Sequence, residues 1–127
     1  MLKLRDIFKF VGNALKVDYI VEESISAGWT YRKWNSGIVE LWTRRQRQLT
    51  HYSKDSMFYY YVDYIDLPFE LMDLPQKVYV VQVGSGTSMP CSGGLNDTKS
   101  RVFYHTASNV GGTSWITIQM TVTGRWK

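Results

Sequence analysis

The chain has 127 residues, of which 44% are hydrophobic, 15% aromatic and 20% charged. This length fits one domain with a substantial core, and the aromatic content excludes a disordered chain. The lone Cys91 excludes a disulfide framework within the chain. No apolar run reaches the roughly 20 residues of a membrane span, and charges interrupt the N-terminus, so we expect a soluble chain made in the cytoplasm without a signal peptide.

The first predicted element is a helix over residues 2–16, which divides the chain into an N-terminal helix (1–17) and a head domain (18–127). Its apolar residues alternate at spacings of three and four, which is typical of a coiled-coil seam. Two heptads are marginal in water, so the helix needs a partner, either its own domain or copies of itself. The residues expected at an interface between copies are Leu4, Phe8, Val11 and Leu15.

The clearest local pattern is a β-hairpin. Residues Trp29–Trp34 and Ile38–Thr43 are rich in strand formers, and the three residues between them end in Gly37. This spacing predicts a type I turn followed by a left-handed glycine. Trp29 and Tyr31 then share one face of the first strand, and Trp34 lies on the other.

Further strands are predicted over residues 17–21, 56–64, 77–83, 99–106 and 114–123. The segment 56–64 carries strand formers on both faces and is expected to be covered on both. The Gly/Ser-rich segment 84–98 is predicted to be a long loop, and 107–113 a shorter one. One short helix followed by six to eight strands favours a mainly β fold, an antiparallel β-sandwich or jelly roll.

The formal net charge is +4, and part of the excess lies in the cluster Arg44-Arg45-Gln46-Arg47. One interpretation is a patch for a polyanion. The alternative, which we favour, is a solvated loop after a strand or a sheet edge guarded by charge.

The residues that carry most enzymatic chemistry are scarce. His51, His105 and Cys91 lack the spacing of a metal site, and no phosphate-binding or dinucleotide-binding glycine motif is present. Carboxylates near the prolines, such as Asp63 and Asp66, fit turn chemistry better than a catalytic pair. We therefore expect no catalytic residues, no metal and no cofactor.

The hairpin also resembles a known family. Residues 28–42, Gly-Trp-Thr-Tyr-Arg-Lys-Trp-Asn-Ser-Gly-Ile-Val-Glu-Leu-Trp, are similar to the start of the C-terminal head domain of tail-fibre, baseplate and minor structural proteins from phages and prophages of Gram-positive bacteria. Leu67-Pro68-Phe69 and the C-terminal Gly124-Arg125-Trp126-Lys127 agree in order. The family often carries Cys or a small residue where this chain has Leu41.

The resemblance implies a trimeric β-sandwich head at the tail tip of a virion, with a role in host attachment or tail assembly and no catalysis. The implied partners are other copies of the chain, other tail or baseplate proteins and a host-surface saccharide, with no nucleic acid and no membrane insertion. It also implies that six residues of the hairpin are structural: Trp29, Tyr31, Trp34, Gly37, Glu40 and Trp42.

A saccharide would bind loops carried by the rigid sheets, and the expected contact residues are Asn96, Asp97, Asn109 and Trp115. One alternative is a monomeric carbohydrate-binding module in which an exposed aromatic stacks on sugar rings. A less favoured alternative is a single-strand nucleic-acid binder that uses Arg44–Arg47 with Tyr52. The heavy aromatic content and the helical seam favour the homo-oligomer, because Trp and Tyr are enriched where subunits meet.

Overall fold

The structure is a computed structural model that describes residues 3–15, 17–51, 53–55, 58–83, 88–92 and 96–127. Tyr52 lies outside these residues, and the side chains of Leu15, His51 and Cys91 are likewise not described. The helix α1 spans Leu4–Leu15, which confirms the predicted N-terminal helix. No helix in the described part of the chain is long and apolar enough to cross a membrane.

The described residues form nine strands. They are β1 (Ile20–Ser26), β2 (Trp29–Trp34), β3 (Ile38–His51), β4 (Ser53–Asp55), β5 (Phe58–Asp66), β6 (Lys77–Gln82), β7 (Ser88–Ser92), β8 (Arg101–Ser108) and β9 (Gly112–Arg125). Sheet A has the order β1-β2-β3-β9-β6 and sheet B the order β4-β5-β8-β7. The strand pairs are antiparallel, which confirms the mainly β, antiparallel fold class.

The core lies between the two sheets. In β9, Ile116, Ile118, Met120 and Val122 are buried and alternate with more exposed residues, as the period of two predicted. The inward faces of both sheets contribute to one apolar cluster. Each sheet therefore turns one face to the core and leaves an outer face open.

The predicted hairpin between β2 and β3 is confirmed. Gly37 has φ +99°, a left-handed conformation that favours glycine, and its N–H donates to the carbonyl of Trp34 at 3.0 Å. A Cβ at this position would lie 2.8 Å from the carbonyl oxygen of Lys127. Both the turn and the approach of the C-terminus therefore require glycine here.

The basic cluster lies in a strand and not in a loop. Residues 44–47 belong to β3 and pair along their length with β9. On the other side of β3, β2 pairs with residues 39–42, so the basic cluster lies beyond the end of that pairing. The predicted loop was wrong because β3 continues well beyond its apolar first half, held by the long partner strand β9. The predicted sheet edge guarded by charge stays a prediction.

Two further expectations were wrong. The predicted long loop contains the strand β7, which pairs with β8 at an edge of sheet B. Its sequence, Ser-Met-Pro-Cys-Ser, lacks strand formers. Pro90 has no backbone N–H, and an edge strand tolerates this because one of its two sides forms no hydrogen bonds with another strand. The strand β5 is covered on one face and not on both, since Tyr60, Val62 and Tyr64 are 39–44% exposed.

Candidate functional site

The aromatic residues of the hairpin make specific contacts. The Trp34 indole Nε1 donates to the Glu40 carboxylate at 2.6 Å, and the Trp126 indole donates to the Trp34 carbonyl at 2.8 Å. Arg32 lies 5.4 Å from the centre of the Trp42 ring. The Trp126 contact ties the hairpin to the C-terminal end of the chain, and a purely structural role for the motif stays a prediction.

The inward-facing aromatics of the same hairpin cross to other parts of the fold. Trp29 is fully buried, and its indole donates to the carbonyl of Asp66 in sheet B at 2.8 Å. The ring of Tyr31 packs edge-on against Phe69 with centroids 5.0 Å apart, and its hydroxyl donates to Glu22 at 3.2 Å. Trp29 therefore joins the two sheets directly.

The arginines of the basic cluster divide between the two faces of sheet A. Arg47 points inward and pairs with Asp63 of sheet B. Arg45 also points inward, where its guanidinium donates to the Ala27 carbonyl and lies 5.8 Å from the centre of the Trp29 ring. Arg44 points outward and is exposed, so the cluster offers one outward arginine to a ligand.

Asp63 sits in a buried polar cluster between the sheets. It accepts two hydrogen bonds from Arg47, at 2.8 and 2.9 Å, and one from the Tyr104 hydroxyl at 2.5 Å. Burial opposes the charged form, but the bonds from Arg47 and Tyr104 outweigh it and lower the pKa of Asp63. Burial, followed by the bond to Asp63, raises the pKa of Tyr104.

Three further carboxylates are also paired. Asp66 binds Arg101 at 2.6 Å, Glu22 binds Lys33 at 3.0 Å and Glu23 binds Arg32 at 2.9 Å. The described residues contain no group of three or more His, Cys, Asp or Glu side chains that could hold a metal. These carboxylates therefore support the strands.

The four predicted ligand residues do not form one site. Asp97 accepts a hydrogen bond from the Phe103 N–H at 2.8 Å, near the start of β8, whereas Asn109 follows the other end of that strand. Six strand residues extend about 20 Å. Asn96 lies beside Asp97, and Trp115 lies near the Asn109 end, on the outer face of sheet A. Ligand binding by the four residues stays a prediction.

Trp115 belongs to a larger surface that the sequence analysis missed. Its neighbours come from β3, β9 and β6, and we call this surface the platform. In register from one end to the other, Trp115 pairs with Gln48, Thr117 with Gln46, Gln119 with Arg44 and Val81, and Thr121 with Trp42 and Tyr79. The outward positions of β3 and β9 could have been identified from the same alternation that predicted the core.

The platform has exposed aromatic residues at both ends and mainly polar residues between them, with the exposed Val81 beside Gln119. Trp115 is 64% exposed and Tyr79 63%, and Gln46 and Gln48 are exposed between them. The Arg44 guanidinium donates to the Gln119 side-chain oxygen at 3.2 Å. Among the residues that define the platform, Arg44 carries the charge. Glu40, the next outward residue of β3 after Trp42, lies beyond the platform and accepts the Trp34 indole N–H.

The outer face of sheet B is of a different character. Tyr60, Val62 and Tyr64 of β5 pair with Ala107, His105 and Phe103 of β8, and they form a surface that is mainly apolar. We call it the apolar face. The Tyr64 ring contacts Phe103 with centroids 5.6 Å apart.

The helix α1 also leaves apolar side chains open. Leu4 is 66% exposed, and Phe8 and Val11 are exposed as well. Phe8 and Val11 line a cleft of about 300 Å³ between the helix and the start of β1, with Tyr19 and Trp34 on its other side. Three of the four residues predicted at a subunit interface are thus available for contact.

Comparisons with known proteins identify relatives by fold and not by sequence. No family model matches the sequence, and no curated protein does. A solved structure of an N-truncated R1-type pyocin tail fibre matches with a TM-score of 0.60 and 14% identity, covering 91% of this chain and 94% of that chain.

Longer pyocin fibres match in part. The R1 pyocin fibre of P. aeruginosa matches with a TM-score of 0.60 and 13% identity, covering 89% of this chain and 30% of that chain. The R2 pyocin fibre of P. aeruginosa matches with a TM-score of 0.59 and 12% identity, covering 90% and 28%. This chain therefore shares its fold with pyocin tail fibres, and at these identities the likeness is one of fold alone.

Proposed function

We propose that this chain is a structural protein of a phage tail tip, tail fibre or baseplate, which assembles as a homotrimer and contacts the surface of the host cell. The observation that carries the proposal is the match over 91% of the chain to a pyocin tail fibre. The hairpin motif supports it independently, because its resemblance is to tail-fibre and baseplate proteins. The location that follows is the virion.

The trimer draws support from two apolar surfaces that one copy leaves open. The apolar face exposes Tyr60, Val62 and Tyr64, and the helix exposes Leu4 and Phe8. Exposed apolar area of this kind marks an interaction surface, and a second copy of the chain would remove both from water. The predicted seam of the helix and the apolar face of sheet B would then both stabilise the same trimer.

Two alternative functions are supported to different degrees. An exposed Trp115 suits a monomeric carbohydrate-binding module, which would need no contact between copies. A single-strand nucleic-acid binder has less support, because Arg45 and Arg47 are engaged inside the fold.

The role is tested by analysing purified tail particles from cells that express the chain. Mass spectrometry of the particles should detect it, and antibody labelling in electron micrographs should place it at the distal end of the tail. Intact tails that lack the chain would contradict the proposal.

A further inference from the structure

The platform has the chemistry of a binding surface for an extended polymer. Trp115 and Tyr79 lie near opposite ends of the platform. Tyr79 pairs with Thr121 of β9, which is six residues from Trp115, so the two aromatic residues are about 20 Å apart along the strand. Several sugar units fit along that length. A sheet surface of this kind holds its side chains at fixed spacing, unlike the loops in which we first expected a ligand.

The side chains along the platform match the groups of a sugar chain. An indole or phenol ring offers a flat apolar surface on which a sugar ring can stack. The amides of Gln46, Gln48 and Gln119 each offer donors and an acceptor to hydroxyl groups. Gln46 and Gln48 are exposed and open to a ligand, whereas Gln119 is half-buried and its oxygen accepts a hydrogen bond from Arg44.

The charge of the platform selects the class of sugar. Arg44 is exposed, and its guanidinium donates to a neutral amide, that of Gln119. The next acid on the same face of β3 is Glu40, four residues from Arg44, and its carboxylate accepts the Trp34 indole N–H. A guanidinium so placed suits a carboxylate or phosphate group, which it can bind with two parallel hydrogen bonds.

We propose that the platform binds an acidic saccharide chain along β3 and β9, with Trp115 and Tyr79 stacking on sugar rings and Arg44 holding the acidic group. This inference rests on the proposed role in host contact and adds to it the location of the site and the charge of the ligand. The apolar face, which lacks this polar chemistry, is left for contact between copies.

The test uses the full chain on an array of purified bacterial surface polysaccharides, with acidic and neutral members in equal number. The wild-type protein should bind acidic members, and the binding should weaken as salt is added. Trp115→Ala should lower the affinity for the strongest acidic member at least about tenfold, and Trp115→Tyr should restore most of it.

Arg44→Gln should lower the affinity for the same polysaccharide about tenfold. Arg5→Gln is the matched control, because it removes the same charge from the exposed helix surface, away from the platform, and should leave the affinity unchanged. Each variant is first compared with the wild type for melting temperature and mass in solution.

Three results would overturn the inference: binding to neutral members alone, no binding to the array, or acidic binding that Trp115→Ala and Arg44→Gln leave intact. A change in the mass of the assembly on Trp115→Ala would also overturn it, because the platform would then be a subunit contact. Detection of the chain in tail particles would be unaffected by any of these results, so the proposed role is tested separately.

Discussion

The guanidinium of Arg47 in sheet A binds the carboxylate of Asp63 in sheet B through two hydrogen bonds, at 2.8 and 2.9 Å. The two residues face each other across the core, and the side chain of Asp63 is only 7% exposed. The Tyr104 hydroxyl completes the group by donating to the same carboxylate. The sheets are thus joined by a polar contact as well as by the apolar core.

Removing the Asp63 charge should destabilise the fold. Asp63→Asn leaves Arg47 without its counter-ion, and the loss of one partner of a buried pair costs roughly 3 kcal/mol, the low end of the usual range, because Arg47 keeps some contact with water. The free energy of unfolding in urea measures the loss. Asp66→Asn, which removes the partner of Arg101 at the surface, is the control and should change stability little; equal losses in both variants would contradict the account.

The carboxylate of Asp63 should also make the stability of the fold depend on pH, with a loss in acid. Its pKa is lowered in the folded state, so it stabilises the fold above its unfolded pKa of about 3.9. That contribution is lost as the pH falls through the lower folded pKa. Urea unfolding between pH 7 and pH 3 should show stability falling below about pH 4. The fall should be smaller in Asp63→Asn, and an equal fall in the two proteins would contradict the assignment.

Gly37 should tolerate no side chain. Gly37→Ala places a Cβ at φ +99° and 2.8 Å from the Lys127 carbonyl oxygen, so we expect a loss of at least about 2 kcal/mol from strain and contact together. Gly112→Ala is the matched control, because its φ is +95° but nothing lies within 4 Å of the added Cβ. The thermal unfolding of both variants measures the difference, and a Gly112→Ala variant that loses as much stability would contradict the role of the C-terminal contact.

The apolar face should tolerate no charge if copies meet there. Val62→Glu puts a carboxylate in the centre of that face and should convert the assembly to monomers, because burying the new charge costs several kcal/mol. Val110→Glu adds the same charge at the turn before β9, where Val110 is 58% exposed, and should leave the assembly intact. Sedimentation velocity compares the two; an intact assembly in Val62→Glu would place the subunit contact elsewhere.

Much of the fold was predictable because its signals are local. The spacing of Trp34 and Gly37 predicted the turn, and the alternation through Ile116 and Val122 predicted a half-buried strand. The strand β7 was missed because its stability comes from pairing with β8 and not from its own residues. The inward path of Arg45 and Arg47 was missed for a related reason. A basic run gives no sign that Arg47 will meet the distant carboxylate of Asp63, or that Arg45 will bond to a turn carbonyl.

The candidate site was harder to predict than the fold. Trp115 was chosen from the sequence, but its neighbours Gln48 and Arg44 come from a strand more than sixty residues away, and only the register of β3 with β9 brings them together. Asp97 was chosen as a polar loop residue, whereas its carboxylate holds the backbone of Phe103. Composition identified suitable residue types, but the pairing of distant strands decided which of them share a surface.

The mass of the wild-type protein in solution tests the central claim most directly. Light scattering coupled to size-exclusion chromatography should give three times the chain mass of 14.8 kDa, and the value should hold over a wide range of protein concentration. A mass of one chain at every concentration would contradict the trimer and would favour the monomeric carbohydrate-binding module.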